Sequence, residues 1–518
     1  MHENRETSGV SRSDRDRSEK ALSRTADMYV PEESDCAVVP VNRPNKQDSS
    51  WAEDGEGRAQ TKENTEGSNT SPTPSGKRVS QGLAGVRRTA KERRQEKFTA
   101  LLHHLNVDLL RESFYALQRK AAPGVDGVTW REYETGLEDR LVDLHSRVHR
   151  GTYRAQPSRR VYIEKADGRQ RPLGIAALED KIVQQAVGTI LNQIYEVDFQ
   201  GFSYGFRPGR SPHQALDALT AGIQTKRVNW VLDCDVRSFF DTLSHEWLGK
   251  FIKHRVADPR VLRLIQKWLK AGVLEDGVVT VNDKGTGQGS VISPLLANVY
   301  LHYVIDLWAD RWRRREAKGD MIIVRYADDI VVGFEHEIDA RRFWDEMEKR
   351  LQEFALSLNP DKTRLIEFGR HVAGRRTRRG LGKPETFNFL GFTFICGRSR
   401  KGKFQLKRKS RRDRMRVRLK EVKQELRRRM HQPIPEQGKW LCQVVRGYFA
   451  YHAVPTNLAS LSAFRHHVTR LWLRTLRRRS QKDAFAWKRM EKLADEWLPK
   501  PKILHPWPSV RFAVRHLR

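Results

Sequence analysis

Cysteine is scarce and never closely spaced: Cys36, Cys234, Cys396 and Cys442 stand alone among 518 residues. That excludes a disulfide framework, offers no zinc signature and suits a reducing compartment. Long apolar runs are absent as well. No stretch approaches the roughly 18 to 20 uninterrupted apolar residues of a membrane span, and the charged start MHENRETSGVSRSDRDRSEK has no signal-like apolar region. The expectation is a soluble, cytoplasmic protein with no membrane partner. Acidic residues are also in deficit, 64 Asp and Glu against 97 Lys and Arg, which gives a formal net charge of +33. So basic a compact protein repels itself, which makes a polyanion the economical partner, and nucleic acid leads. The length and the 38% hydrophobic content leave room for two or three domains with real cores.

From Met1 to about Arg88 the chain is rich in Ser, Arg, Glu, Asp, Gly and Thr without apolar periodicity, so residues 1–88 are expected to form a disordered arm. Order is expected near Lys91, because FTALLHHLNVDLLRESFYALQRK spaces Phe98, Leu101, Leu102, Leu105, Leu109 and Leu110 at helical intervals. A second helix is expected around Leu137 to Val148. In RRVYIEKADGRQRPLGI, two β-like runs, Val161–Ile163 and Pro172–Ile175, flank a Gly-containing turn and form a basic hairpin. Helical and strand-like segments alternate to about Ile395. A dense basic run follows, GRSRKGKFQLKRKSRRDRMRVRLKEVKQELRRRM, and then a helical module with apolar inner and Arg-rich outer faces.

The sharpest feature is VRYADDIVVGF, which sets Asp328 and Asp329 side by side between two apolar runs that read as a tight hairpin. Adjacent anions in such a setting cost several kcal/mol unless hydrogen bonds or a cation compensate. NWVLDCDVRSFFDTLSH supplies further carboxylates in another β-like run, where Val231, Asp233 and Asp235 share one face and Leu232, Cys234 and Val236 the other. A strand-centre carboxylate and a pair at a hairpin tip can converge on one point of a sheet, where two Mg²⁺ ions about 4 Å apart would find hard oxygen ligands. An isolated ADD is more often a solvated turn.

Taken in order, VLDCDVRSFFD, GTGQGSVISPLLANVYLH, RYADDIVV, LNPDKTRLIEF and FNFLGF resemble the palm motifs of reverse transcriptases. With RRVYIEKADGRQRPLGI and SYGFRPGRSPHQAL ahead of them, the chain from about Lys91 to Arg518 resembles group II intron-encoded reverse transcriptase/maturases. The resemblance implies an α+β right-hand polymerase, with fingers and an antiparallel palm sheet over 89–396 and an α-helical thumb/maturase domain over 397–480. It implies Asp235 and Asp328 as principal ligands of two Mg²⁺ ions, with Mn²⁺ as a substitute, Asp329 as a weaker ligand and Val236 within the same metal site. Asp233 is expected to support this centre, and Asp241 reads as a helix N-cap. Phe240 would lie beneath the incoming sugar and exclude a 2′-hydroxyl, with core packing as its alternative. Lys165 and Arg171 would close over the triphosphate, Gln288 would line the nucleotide pocket, and Lys362 would protonate pyrophosphate or lie as a surface charge near nucleic acid. Ser293 and Pro294 read as N-cap and first residue of a helix whose Leu295, Leu296, Val299, Tyr303 and Leu307 form core. FNFLGF resembles the element that grips the primer terminus, and also reads as plain strand core.

Arg207, Lys407, Arg408, Arg411, Arg412 and Arg446 are assigned to RNA binding, and Tyr448, Phe449, Tyr451 and His452 either stack on bases or pack a helix. Many family members carry a zinc-dependent endonuclease domain after the thumb; here residues 481–518 have no cysteine pairs, so a short basic DNA-contacting tail is expected instead. The implied partners are a group II intron RNA, target DNA and dNTPs, with a homodimer left open. The implied function is RNA-directed DNA synthesis joined to intron splicing and retromobility, with target-primed or host-primed cDNA synthesis in a nucleoid-associated ribonucleoprotein. A maturase that rarely uses its polymerase site, and a relative recruited to phage defence or CRISPR adaptation, are the alternatives.

Overall fold

The computed structural model describes residues 74–164, 170–275, 277–281, 283–287, 289–479 and 486–515. In chain order its strands are β1 (Ser158–Glu164), β2 (Gln170–Ile175), β3 (Trp230–Asp235), β4 (Val273–Glu275), β5 (Val278–Thr280), β6 (Met321–Tyr326), β7 (Asp329–Phe334), β8 (Arg364–Glu367), β9 (Phe387–Phe389), β10 (Phe392–Arg398) and β11 (Phe404–Ser410). They form three sheets ordered β2-β1-β4-β5, β6-β7-β3-β8 and β11-β10-β9, antiparallel apart from the short β1–β4 contact. The architecture is α+β, with antiparallel sheets and helical layers followed by a helical region.

The central sheet is covered on both faces, and its sequence shows why. Leu232, Cys234, Ile330 and Val332 point into one core with the helices Leu178–Asp198, His245–Lys253 and Glu337–Glu353. Val231, Val324, Val331 and Ile366 point into a second core with helix Pro212–Thr225 and the β9–β11 sheet. The runs MIIV and IVV therefore need no polar alternation. Helices Arg412–Arg428, Ile434–His452, Leu458–Arg477 and Trp487–Trp497 enclose a third core around Trp472 and Phe464.

The structure corrects several expectations. Order begins well before Lys91: helix Pro74–Glu92 buries Leu83, Val86 and Ala90 against helix Leu178–Asp198. Three apolar residues among Ser, Gly and Arg make a stripe too narrow to stand out in composition. The helix expected from Phe98 breaks into a 3₁₀ turn, Leu102–His104, and helix Val107–Ala116, because the Asn106 side chain caps the latter by accepting from Leu109 N at 2.8 Å. Position 396 falls inside β10, so the structural break to the helical region follows Ser410. The described part of the C-terminal tail docks on the protein: Arg511 lies 3.2 Å from Asp217 on helix Pro212–Thr225, and the His505 ring stacks on His213 at 3.9 Å. Of the arm expected over 1–88, residues 1–73 lie outside the described residues.

Helix Ser293–Leu301 starts one residue earlier than expected, with Ile292 at the N-cap and Ser293 inside the helix. It passes through a π-helical turn, His302–Asp306, into helix Leu307–Arg315. The extra residue of that turn rotates the apolar stripe, so Ala309 and Trp312 are buried while Leu307 is exposed. It also aims Asp306 inward.

Three histidines stay neutral inside this fold. Burial holds His213 down to about 2, His452 to about 3 and His302 to about 4, with arginines adding to the effect. The unfolded chain protonates these groups below about 6.5 and the folded chain does not, so stability falls with pH below that point, by about 1 kcal/mol per histidine per pH unit. Asp180, raised to about 6 chiefly by burial, opposes this together with Glu112 and Asp198, while burial also lowers His104, His145, His467 and His505 and adds to it. We expect thermal unfolding at pH 5.0 to begin several degrees below that at pH 7.5, and His302→Asn to flatten the difference.

Candidate active site

β6 and β7 are joined by a two-residue turn, Ala327–Asp328, in which Ala327 carries a φ of +54° and Asp328 does not. A positive φ at the first central position alone is the type II′ pattern that matches strand twist, and a non-glycine residue holds it only under external constraint. Register then brings the carboxylates together. On the antiparallel β3–β7 pair, Asp235 stands directly opposite Asp329, with Asp328 one residue away on the turn. Like charges directly opposite destabilise a sheet unless something offsets them.

The motif LNPDKTRLIEF supplies the offset. Leu358 bridges Val236, Asn359 N donates to the Asp235 carbonyl at 2.8 Å, and Thr363 N donates back to the Asn359 carbonyl at 2.9 Å. This tight turn aims Lys362, whose Nζ lies 3.5 Å from Asp235 Oδ2. Two residues back along β3, Arg364 lies 3.4 Å from Asp233. Lys362 thus sits on the acidic centre itself, not on a distant surface. Asp241 is not an N-cap: helix Phe239–Thr242 contains it, and Ser238 at φ +43° precedes the helix.

Beneath the turn lies Arg325, fully buried, with its donors satisfied. Its Nε and Nη2 donate to both Asp306 oxygens at 2.7 and 2.6 Å, Nη2 also donates to Ser203 Oγ at 2.7 Å, and Nη1 donates to Asn298 Oδ1 and the Ala327 carbonyl, both at 2.9 Å. Asn298 in turn donates to the Gly205 carbonyl at 2.7 Å. A Cβ at Gly205 would lie 2.3 Å from Ala327 N, so only glycine lets SYGF approach the turn. Sequence reasoning did not single out Arg325, Asp306, Asn298, Ser203 or Gly205. The available signal was an arginine inside the apolar strand MIIVRY.

Phe240 is buried beside Phe239 at the start of the same site, with ring centroids 5.3 Å apart. Its carbonyl accepts from Thr286 N at 2.8 Å, while Gly285 N donates to the Leu243 carbonyl at 2.7 Å. A Cβ at Gly289 would meet the Gly174 carbonyl of β2 at 2.7 Å. The Gly-rich loop therefore spans from Phe240 to the basic hairpin. Arg171 lies on β2 opposite Ile163, whereas Lys165 and Gln288 lie outside the described residues.

The donor set suits Mg²⁺. Asp235, Asp328 and Asp329, with the backbone carbonyl of Val236, offer only hard oxygen. Among the described residues no three His, Cys, Asp or Glu side chains converge into a ready-made cage, and Mg²⁺ does not require one: one or two carboxylates with substrate phosphate and water suffice.

The basic residues assigned to RNA divide sharply. Arg412 and Arg446 are exposed and Lys407 is half-buried. Arg207, Arg408 and Arg411 are corrected to internal roles: Arg207 pairs with Glu196 at 3.0 Å and caps two carbonyls, Arg408 pairs with Asp217 at 2.9 Å, and Arg411 pairs with Asp413 at 2.8 Å. A planar fork of five donors suits buried pairs, and composition does not separate that use from phosphate binding. Tyr448, Phe449 and His452 are core, Tyr448 stacking on Phe464 at 3.7 Å, and Tyr451 donates to the Leu390 carbonyl at 2.9 Å. Phe387, Phe389 and Phe392 are buried strand residues.

Arg325→Lys keeps the charge and loses the fork. We expect it to reduce the turnover of templated nucleotide addition at least ~10-fold while changing the nucleotide KM less than ~3-fold, with some loss of thermal stability. Steady-state kinetics beside a melting curve separates the two effects.

A family model described as "Reverse transcriptase (RNA-dependent DNA polymerase)" matches residues 163–394. Protein YkfC of Escherichia coli K12 is 34% identical over 316 residues, which cover 55% of this chain and 78% of that protein. The group II intron-encoded protein LtrA of Lactococcus lactis is 35% identical over 222 residues, 42% of this chain and 37% of LtrA. Nuclear intron maturase 1 of Arabidopsis thaliana is 29% identical over 92 residues, which cover 18% of this chain and 13% of that protein. With the paired carboxylates of β3 and β7 at the centre of the matched region, the chain belongs to the group II intron-encoded reverse transcriptase/maturase family of RNA-directed DNA polymerases.

Proposed function

We propose that this chain copies RNA into DNA at the Asp235–Asp328–Asp329 centre, while its helical region binds a group II intron RNA to assist splicing and retromobility. The observation that carries the reading is the β3–β7 register, which sets Asp235 against Asp329 beside the turn that holds Asp328. In the reaction the primer 3′ oxygen bonds to the α-phosphorus of a dNTP, the bond to the β-phosphate oxygen breaks, and pyrophosphate leaves. Mg²⁺ held by Asp235, Asp328, Asp329 and the Val236 carbonyl would neutralise phosphate charge and ease deprotonation of the primer hydroxyl, two ions dividing those tasks.

The chain's own residues supply the rest. Phe240 packs against Phe239 so that its ring has little freedom, and a rigid ring beneath the sugar would reject a 2′-hydroxyl by contact. Lys165 and Arg171 on the basic hairpin would bind the triphosphate, the arginine through two oxygens at once. Gln288, between two glycines of the loop spanning Phe240 and β2, would line the nucleotide pocket. Lys362 lies 3.5 Å from Asp235, which supports a role in which it would donate a proton as pyrophosphate departs.

Residues 89–396 are assigned to fingers and palm, and the helices that follow Ser410 to the thumb/maturase domain. Arg412, Arg446 and Lys407 would meet intron RNA. Exposed Lys500 and Lys502 would meet target DNA even though the tail around them is docked. Among the described residues no helix is long and apolar enough to cross a membrane, and a nucleoid-associated ribonucleoprotein is the setting the reading implies.

Primer extension on an RNA template with dNTPs and Mg²⁺ tests the proposal. Wild type should extend, and Asp328→Ala should lose at least ~1,000-fold while still binding intron RNA and assisting splicing. Product from neither, with tight RNA binding by both, would make the chain a splicing factor with a silent polymerase fold. Phe240→Ala should raise ribonucleotide use relative to deoxynucleotide by about 10-fold or more, read as the ratio of kcat/KM values. An unchanged ratio would return Phe240 to ordinary core.

A further inference from the structure

The palm edge beyond β8 carries chemistry that nucleotidyl transfer leaves unused. β8 pairs with β3 so that Arg364 faces Asp233 near the acidic centre, whereas Glu367 faces Trp230 at the other end of the strand. At roughly 3.3 Å per residue, Trp230 lies about 17 Å from Asp235. Between Glu367 and Lys403 the chain places ten Lys and Arg against two Glu. Both glutamates are engaged, Glu367 by Arg375 and Arg379 and Glu385 by Arg376. Arg378, Arg398, Arg400, Lys401 and Lys403 are exposed, without a carboxylate partner among the described residues.

Two cavities flank the short helix Val372–Arg378. One, of about 410 Å³, is walled by Trp230, Glu367, Arg375, Arg378 and Arg379, and Nη2 of Arg375 is buried without a hydrogen-bond partner. The other, of about 810 Å³, separates that helix from β10 and β11 and sets Arg370, Arg398 and Lys403 beside the backbone of Gly369, Gly397 and Gly402. An indole wall with guanidinium groups suits an unpaired base and its phosphate, because stacking and charge act on the same nucleotide. Spaced cations over glycine backbone suit the phosphates on either side of it.

We infer that this edge is a second RNA-binding surface, which holds the backbone of a structured RNA and seats one unpaired nucleotide against Trp230. The inference rests on the RNA-binding reading above and extends it to residues apart from both the thumb and the acidic centre. Arg378, Arg398 and Lys403 each neutralise a phosphate, and Trp230 distinguishes an unpaired base from a paired one.

The test uses the full chain and two synthetic probes, an RNA hairpin with a single-nucleotide bulge and the same hairpin fully paired. Arg378→Gln, Arg398→Gln and Lys403→Gln combined should weaken binding to the bulged hairpin about 10-fold or more. They should also make the slope of log K against log salt shallower by about two to three, three phosphates at roughly 0.7 to 0.9 each, with extension of a short template–primer unchanged. Trp230→Leu should weaken the bulged hairpin about 5-fold or more and leave the paired one unaffected. Unaltered affinity and slope in the triple variant, with wild type binding tightly, would overturn the surface and leave the polymerase assignment standing. Equal loss on both hairpins by Trp230→Leu would overturn the nucleotide pocket. Failure of wild type to bind either probe would overturn the RNA-binding reading itself.

Discussion

A guanidinium shut away from water must be repaid by geometry, and Arg325 is such a group. Removing two charges from solvent costs several kcal/mol per ion even after relaxation, so the Arg325–Asp306 pair stabilises the protein only because its fork is filled. Both Asp306 oxygens, Ser203 Oγ, Asn298 Oδ1 and the Ala327 carbonyl accept from it. The last of these matters most for the site. It ties the strained turn that carries Asp328 to a charge that has no other place to go. The π turn that delivers Asp306, the glycine that lets SYGF reach the turn and the strand that carries Arg325 are all constrained by this one interaction.

The acidic centre follows the opposite logic. Its carboxylates are brought together by strand register, which forces Asp235 to face Asp329 whether or not the charges agree. The surrounding chain answers with cations from a single edge element: Lys362 on Asp235 and Arg364 on Asp233. Neither pair is a filled fork like that of Arg325; the distances are 3.5 and 3.4 Å, longer than charge-assisted hydrogen bonds usually run. Each of these contacts sets a cation against the acidic centre without enclosing it in a filled fork. The Arg325 set is locked by a bidentate fork and the acidic set is met by single longer contacts from one edge element, a difference between scaffold and candidate site.

That distinction was only partly legible in the sequence. Asp235, Asp328 and Asp329 stood out because alternation and a hairpin pattern place carboxylates against apolar runs, where they need a reason. Arg325 sits in the same run and needed a reason equally, but a lone arginine next to so marked a motif drew no attention. Arg207, Arg408 and Arg411 were assigned to RNA, yet Arg408 is held by Asp217, far off in sequence, and Arg207 and Arg411 by the nearer Glu196 and Asp413, contacts that burial in this fold sets and composition does not report. Leu307 followed the helical period faithfully. The period failed there because the π turn His302–Asp306 inserts one residue, a change invisible to a 3.6-residue template. Helix Pro74–Glu92 escaped notice for the reverse reason, since three small apolar contacts on a neighbouring helix order a segment whose composition reads as disordered.

The two ends of the molecule are joined through the same kind of contact. Asp217, buried on helix Pro212–Thr225, meets Arg408 from β11 and Arg511 from the C-terminal segment. β11 leads directly into the first helix of the C-terminal helical region, and its Ser410 N donates to Asn457 Oδ1 at 3.0 Å, while Asn457 Nδ2 donates to the His452 carbonyl at the end of helix Ile434–His452. Helix Pro212–Thr225 packs in turn on β6, the strand that holds Arg325. Helix Pro212–Thr225 thereby links a buried anion, Asp217, to the strand that carries a buried cation, Arg325. Neither β11 nor helix Pro212–Thr225 can shift far without uncovering a charge, and uncovering a charge in a dry interior costs more than most surface contacts return. A polymerase must hold a duplex at a fixed distance from its carboxylates through many cycles, and burying ions at the joints meets that demand more strictly than apolar packing, which tolerates sliding.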